Sequence, residues 1–195
     1  MKKFSRVLGV AALLVMATAG PAMAARPPDH LLPIKGSVLA LDNGQIFPTP
    51  DQPLDCPDWA EWQFFSRGVG QVSHLGRAEL DVVQCSMVVA PPGTIRSEGT
   101  TTLTAANGDM LILAHELDVE TQYTNFPVPD GWEGEGTWTV VGGTGRFALA
   151  SGSGTVTAVG DIPTDDTPWQ DLPAGSTSWT FNGMIEYDAS NRAVR

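Results

Sequence analysis

The stretch from Trp138 to Val159 limits the fold more than any other, because a strand-like segment runs directly into a glycine turn. A turn such as Val140-Val-Gly-Gly-Thr-Gly145 can approach a pyrophosphate closely when a helix follows it. Here Ser151-Gly-Ser-Gly154 and then alternating Thr and Val follow, which are poor helix formers and good strand formers. The pattern therefore argues against a nicotinamide or flavin site and predicts a strand–turn–strand connection.

The rest of the chain repeats this pattern of short strands between turn residues, and no segment carries a sustained helical stripe. The predicted strands cover residues 34–41, 59–69, 70–89, 94–105, 110–119, 133–141, 153–159 and 176–187. Asp42-Asn-Gly44 and Asn107-Gly108 are predicted turns, and a bend or bulge is expected at Gly68 and Gly70. The pattern predicts an all-β domain over residues 34–188, a single antiparallel β-barrel of about eight strands without exposed edges.

The first 24 residues have the features of a secretory signal peptide. Lys2, Lys3 and Arg6 precede the apolar run 7–19, and Ala22-Met-Ala24 resembles a cleavage site. The apolar run is shorter than a membrane span requires, and no later segment is long enough. We therefore expect a periplasmic or secreted protein, with tails at residues 25–33 and 189–195.

The charge balance is strongly acidic, with 11 Lys and Arg against 22 Asp and Glu. Removal of the leader would remove three basic residues, so the mature charge would be 8 minus 22, or −14. Such a field repels nucleic acid and anionic membranes, and solubility is its simplest explanation.

The two cysteines, Cys56 and Cys85, both follow the leader and would lie in an oxidising compartment. We therefore predict one disulfide that fastens the Pro-rich segment 48–57 to a strand. A pair of metal ligands is the alternative, but no third and fourth ligand lies nearby in the sequence.

Two histidines are the main candidates for chemistry, because period-two alternation directs both side chains toward the interior. His74 shares a face with Val72 and Ala78, and His115 shares a face with Leu113. A hydrogen-bonded histidine at a cavity rim is favoured over an acid or base. Glu116 follows His115 directly and faces the other way, so no metal site is predicted, and no cofactor is implied.

Arg146 emerges from the glycine turn, where its side chain can cap carbonyl groups or reach a carboxylate. A structural role is favoured for it. The glycines at 142–145 are expected to adopt backbone angles that other residues avoid, which makes the turn a folding element first.

The glycine turn also resembles a known motif. The pattern Val140-Val-Gly-Gly-Thr-Gly-x-Phe-x-x-Ala150-x-Gly152 is similar to the glycine-rich block of plant dirigent proteins and of bacterial secreted proteins with an allene oxide cyclase-like barrel. Leu75-Gly-Arg-Ala78 and the segment 102–109 resemble further blocks of that family. The resemblance implies the same barrel, but Ser151 stands where dirigent proteins carry an arginine, so radical coupling is not carried over residue by residue.

Two functional hypotheses follow. The first is an exported barrel that binds a small hydrophobic molecule, and the rival is a cyclase-like or dirigent-like enzyme that steers a reactive intermediate by positioning. The predicted ligand-binding residues are His74, Leu113, His115, Trp138, Arg146, Phe181 and Ile185. The resemblance also leaves open a homo-oligomer, since relatives often form trimers.

Overall fold

The computed structural model describes residues 31–49, 51, 53–90, 93–123, 130–161 and 175–187. The predicted leader at 1–24 and the tail at 189–195 lie outside the described residues. Of the tail predicted at 25–33, only the last three residues are described, and Leu32 and Pro33 already belong to the first strand. Across these ranges no helix combines the length and apolarity that crossing a membrane requires.

Eight strands among the described residues form a closed antiparallel barrel, which confirms the predicted fold class. They are β1 (Leu32–Ile46), β2 (Trp62–Val72), β3 (Gly76–Ala90), β4 (Thr94–Ala105), β5 (Met110–Gln122), β6 (Gly131–Gly143), β7 (Ser151–Asp161) and β8 (Thr177–Glu186). Each strand pairs with its neighbours in the sequence, and β1 also pairs with β8 from Leu32↔Ile185 to Ala40↔Thr177. That ladder closes the barrel along residues 32–40 of β1.

Alternation along each strand separates the interior from the outer wall. In β3 the side chains of Ala78, Leu80 and Val82 are buried, whereas Glu79 and Asp81 between them are exposed. The same period-two pattern on the other strands sends large apolar side chains inward. The core therefore lies inside the barrel.

The two ends of the barrel differ in their connections. At one end, here called the turn end, residues 73–75, 106–109 and 144–150 connect the strands. At the opposite end, here called the loop end, the connections are residues 47–61, 91–93, 123–130 and 162–176.

The glycine turn connects β6 to β7 as predicted and contains a single-turn 3₁₀ helix, Gly145–Phe147. Phe147 is fully buried and packs against Tyr187 with 4.9 Å between ring centroids, so it fills the turn end of the interior. Gly145 has the expected left-handed angle, with φ of 57°. Gly143 does not, but a β-carbon there would lie 2.5 Å from the Phe147 carbonyl oxygen and 2.7 Å from that of Met110.

One predicted turn and one predicted strand boundary are wrong. Asp42-Asn-Gly44 lies inside β1, because the register between β1 and β2 shifts between Ala40 and Asp42 and the strand continues beyond this bulge. The strand boundary predicted at residues 69 and 70 is wrong because β2 continues to Val72 and the β2–β3 turn lies at residues 73–75, although the bulge in the β1–β2 ladder does lie next to Gly68. Those two glycines lie inside β2, where a β-carbon would collide with the backbone of β1.

The predicted disulfide between Cys56 and Cys85 is confirmed, with 5.8 Å between the Cα atoms. Cys85 lies on the outer face of β3, between the inward-facing Gln84 and Ser86, and is nevertheless buried. The bond therefore fastens the β1–β2 connection to the outer wall of the barrel.

The glycine turn yields a matched pair of substitutions. Gly143→Ala should lower the free energy of unfolding by about 1–3 kcal/mol, because its methyl group would press on two carbonyl oxygens. Gly142→Ala is the control, since a β-carbon there meets only Ile112 Cδ1 at 3.8 Å. Urea denaturation measures both, and equal stability of the two variants would contradict the steric argument.

The disulfide can be tested by replacing both cysteines. The Cys56→Ser/Cys85→Ser double variant should lose about 3 kcal/mol of stability, since the bond closes a loop of 29 residues in sequence separation. Unfolding of wild type with and without reductant gives an independent measure. If both thiols of the native, air-oxidised protein react with an alkylating agent, the bond is absent.

Candidate functional site

The interior of the barrel is polar in one half only. Seven buried polar residues, here called the interior polar set, lie between the middle of the barrel and its loop end: Ser66, Gln84, Ser86, Ser97, Thr101, His115 and Thr177. The half nearer the turn end is filled by apolar side chains such as Leu103, Leu111 and Phe147, each fully buried. Burying a polar group costs free energy unless it is hydrogen-bonded, so buried polar side chains call for an explanation. The half of the interior toward the loop end, which contains them, is therefore the candidate functional site.

His115 lies at the centre of the interior polar set and connects three strands. Its Nδ1 lies 3.0 Å from Thr101 Oγ1 on β4, and its Nε2 lies 3.1 Å from Gln84 Oε1 on β3. With Gln84 oriented in this way, Nε2–H donates to the amide oxygen and Nδ1 accepts from the threonine hydroxyl. Both ring nitrogens of a neutral imidazole are thereby satisfied.

Burial lowers the pKa of His115 from 6.5 to about 4. The cause is desolvation, which disfavours the charged imidazolium in the barrel interior. The imidazole is therefore neutral at physiological pH, as its two hydrogen bonds require.

Three further members of the set form hydrogen bonds. Ser86 and Ser97 lie on β3 and β4 with 2.8 Å between their hydroxyl oxygens. The Trp179 Nε1–H donates to Ser66 Oγ at 3.1 Å, and the Trp179 ring lies 6.0 Å from the His115 ring in an edge-on arrangement. Six of the seven members thus form side-chain hydrogen bonds with one another or with Trp179.

Two aromatic rings meet across the barrel near the loop end. Phe64 on β2 and Trp132 on β6 are four strands apart in an eight-stranded barrel, so they come from opposite walls. Their centroids are 5.9 Å apart at an interplanar angle of 82°, an edge-to-face contact. Trp132 is only partly buried. A second aromatic pair at this end, Phe47 and Trp62, has 6.2 Å between its ring centroids.

Of the predicted site residues, His115 faces the interior as expected. Phe181 stacks on Trp179 at 6.5 Å, also inside the barrel. Leu113, Trp138 and Ile185 are buried in the core, where the Trp138 indole lies over Gly154 and Gly183 and its Nε1–H donates to the Thr155 carbonyl. Leu113 is the direct cross-strand partner of Thr101 and Trp138 that of His115, so these two lie where the packed core meets the interior polar set, whereas Ile185 lies farther toward the turn end.

The inward orientation expected for His74 is wrong. His74 lies in the β2–β3 turn with φ of 68°, where strand alternation does not apply, and its Nε2 lies 3.0 Å from the Pro33 carbonyl oxygen. Arg146 also lies at the turn end, where its Nε is 3.4 Å from Asp109 Oδ2. The structure therefore does not bring His74 and Arg146 together with His115.

Sequence reasoning missed most of the polar half. Gln84 and Ser86 continue the inward period of Ala78, Leu80 and Val82, and this signal was available in the sequence. Thr101 shares its face with the buried Leu103 and Ala105, so the same period also indicates its inward orientation. Across the described ranges, no three His, Cys, Asp or Glu side chains are grouped so that they could hold a metal ion.

Comparisons with protein-family models, with curated proteins and with solved structures find no match for this chain. Its function must therefore be argued from the barrel itself.

The pKa of His115 predicts how stability depends on pH. Because this pKa is lower in the folded than in the unfolded protein, the unfolded state takes up the proton first as the pH falls below 6.5. Stability contributed by this group is fully present above pH 6.5 and is lost progressively toward pH 4. At pH 5 the loss should be about 2 kcal/mol relative to pH 7.5.

The measurement compares the unfolding free energy at the two pH values in wild type and in His115→Gln, which lacks the titrating group. The variant should show a smaller decrease than wild type. An equal decrease in both would mean that His115 does not titrate differently on folding.

Proposed function

We propose that this protein binds a small, mainly apolar molecule, neutral or cationic, at the loop end of its barrel. The observation that carries the proposal is the division of the interior into a solid apolar half and a half with seven buried polar residues. A barrel selected only for stability gains nothing by replacing apolar core side chains with polar ones. A ligand pocket combines apolar and aromatic walls with a few placed polar groups, as this half does.

The aromatic rings at the loop end supply the apolar part of the proposed site. Trp132 is partly buried, and Gly160 opposite it has no side chain to restrict the indole. Ser86 and Ser97 lie on the inner wall in the same part of the barrel. A ligand that enters here would contact Trp62 and Trp132 and separate the Phe64–Trp132 pair.

The charges around this end favour neutral or cationic ligands. Of the five basic residues in the described ranges, Lys35, Arg67, Arg77 and Arg96 are exposed on the outer wall or at the turn end, and Arg146 is at the turn end. Acidic side chains are present near the loop end, including Glu61, Glu133 and Asp161. An anion in this half would lose its hydration without gaining a cationic partner.

The cyclase-like or dirigent-like enzyme remains an inference from resemblance. His115 uses both ring nitrogens in hydrogen bonds to Thr101 and Gln84, so neither nitrogen is directed at a substrate. That geometry supports binding over acid–base catalysis.

We also propose that the protein acts outside the cytoplasm. The Cys56–Cys85 disulfide supports this, because such bonds persist in oxidising compartments, and the features of the first 24 residues agree with it.

Binding can be tested with N-phenyl-1-naphthylamine, a neutral fluorescent probe, and its sulfonated analogue 1-anilinonaphthalene-8-sulfonate. The neutral probe should bind at least tenfold more tightly, because the anion finds no interior cation. Trp132→Leu should weaken its binding about tenfold through loss of the ring contact. Phe147→Leu is the control, since Phe147 fills the turn end of the interior and its loss should lower stability without changing affinity.

Fluorescence titration at pH 7.5 measures all three proteins. Absence of binding of the neutral probe to wild type would contradict the proposed function, and an equal effect of the two substitutions would contradict the proposed location.

A further inference from the structure

Asn43 occupies a special place at the loop end. It lies on β1 just beyond the bulge and pairs with Ser66, so its side chain shares the inner face with that buried serine. The ladder between β1 and β8 ends at Ala40↔Thr177, before Asn43 is reached. Asn43 therefore lies just beyond the last residue pair that joins β1 to β8.

The orientation of the Asn43 amide is determined by its one hydrogen bond. Its Nδ2 donates to the backbone carbonyl oxygen of Gly175, which precedes β8. The reverse orientation would place two oxygen atoms against each other, so the hydrogen-bond network assigns the nitrogen to the position facing Gly175. The Oδ1 atom is consequently directed away from Gly175.

This Oδ1 atom is buried and has no hydrogen-bond partner. It contrasts with its neighbours, since Ser66 accepts from Trp179, Ser86 pairs with Ser97, and His115 is satisfied on both sides. Among the described residues, the only other buried side-chain atom of this kind is Arg146 Nε at the turn end, and that atom faces Asp109. A buried acceptor without a partner is unfavourable, so it calls for a donor from outside the chain.

We propose, resting on the proposed function, that the ligand carries a hydrogen-bond donor, a hydroxyl or amine group, that binds Asn43 Oδ1. An amide oxygen only accepts hydrogen bonds, so a carboxylate, ether or ketone cannot pair with it. No basic side chain of the described residues faces this half, which also disfavours an anionic ligand. The ligand class is therefore an apolar alcohol, phenol or amine.

The test uses two probes that differ only in the donor, 2-naphthol and 2-methoxynaphthalene. Isothermal titration calorimetry at pH 7 should show about tenfold tighter binding of 2-naphthol to wild type. Asn43→Ala should abolish this preference and leave the affinity for 2-methoxynaphthalene within about twofold. Asn182→Ala is the matched control, because Asn182 is an exposed asparagine on the outer face of β8, and it should change neither affinity.

A conservative variant keeps the test valid if Asn43→Ala fails to fold. Asn43→Asp retains an acceptor at this position, so it should keep the preference for 2-naphthol and bind 2-naphthylmethylammonium more tightly than wild type does. Circular dichroism checks the fold of each variant.

Equal binding of the two probes to wild type would overturn the inference and leave the proposed function intact, with an ordered water as the partner of Oδ1. Failure of both probes and of N-phenyl-1-naphthylamine to bind would overturn the proposed function itself.

Discussion

Closure of the barrel by β1 is the constraint on which the rest of the structure depends. β1 is 15 residues long and forms ladders with β8 at its start and with β2 over most of its length. Its bulge between Ala40 and Asp42 lets the strand bend away from β8 while it remains paired with β2. The Asn43 side chain then makes the contact with Gly175 that the backbone ladder no longer makes. The β1–β8 ladder toward the turn end and its termination before the loop end both follow from this one strand.

The filling of the interior follows the same division. Near the turn end, large side chains occupy gaps left by glycines, as the Trp138 indole does over Gly154 and Gly183. Such packing approaches the density of protein cores and leaves little room for a ligand. Near the loop end, polar side chains also face the interior, and each of them needs a hydrogen-bond partner. His115 is an example, since both of its ring nitrogens are hydrogen-bonded. Apolar packing thus dominates the half near the turn end, and the half with interior polar groups is the one in which binding is proposed.

The sequence predicts this fold well because strand alternation and turn chemistry are local. Turn composition predicts the glycine turn near Gly143 and the hairpin at Asn107-Gly108. Strand alternation then predicts which side chains face the interior and which face solvent. Predictions failed where a long-range contact decides the structure. Asn43-Gly44 has turn composition, but pairing of β1 with β2 keeps it in a strand. Alternation directs His74 inward only if one strand continues through residues 73–75. These residues instead form a turn, and Gly76, with φ of 74°, helps to form it.

The candidate site was harder to predict than the fold for a related reason. Period-two alternation shows that His115 faces inward, but not which hydroxyl and amide meet it, since Thr101 and Gln84 come from other strands. The contact between Phe64 and Trp132 joins opposite walls, and no pattern within either strand indicates it. Contacts across a barrel depend on register around the whole sheet, which the sequence of one strand does not contain.

Acidic side chains face one another on the outer wall of the barrel. Three pairs of like charges lie directly opposite each other on β4, β5 and β6, all toward the loop end: Glu98↔Glu116, Asp118↔Glu135 and Glu120↔Glu133. Like charges directly opposite each other on neighbouring strands are destabilising. Among the ion pairs of the described residues, only that of Arg96 with Glu98, at 2.6 Å, reduces the repulsion between these carboxylates. Because these carboxylates are at the surface, solvent and salt limit the cost. Their field still extends to the nearby mouth of the barrel, where it would repel an anion and attract a cation. The acidic wall and the unpartnered Asn43 oxygen therefore favour the same ligand, one that brings a donor and no negative charge.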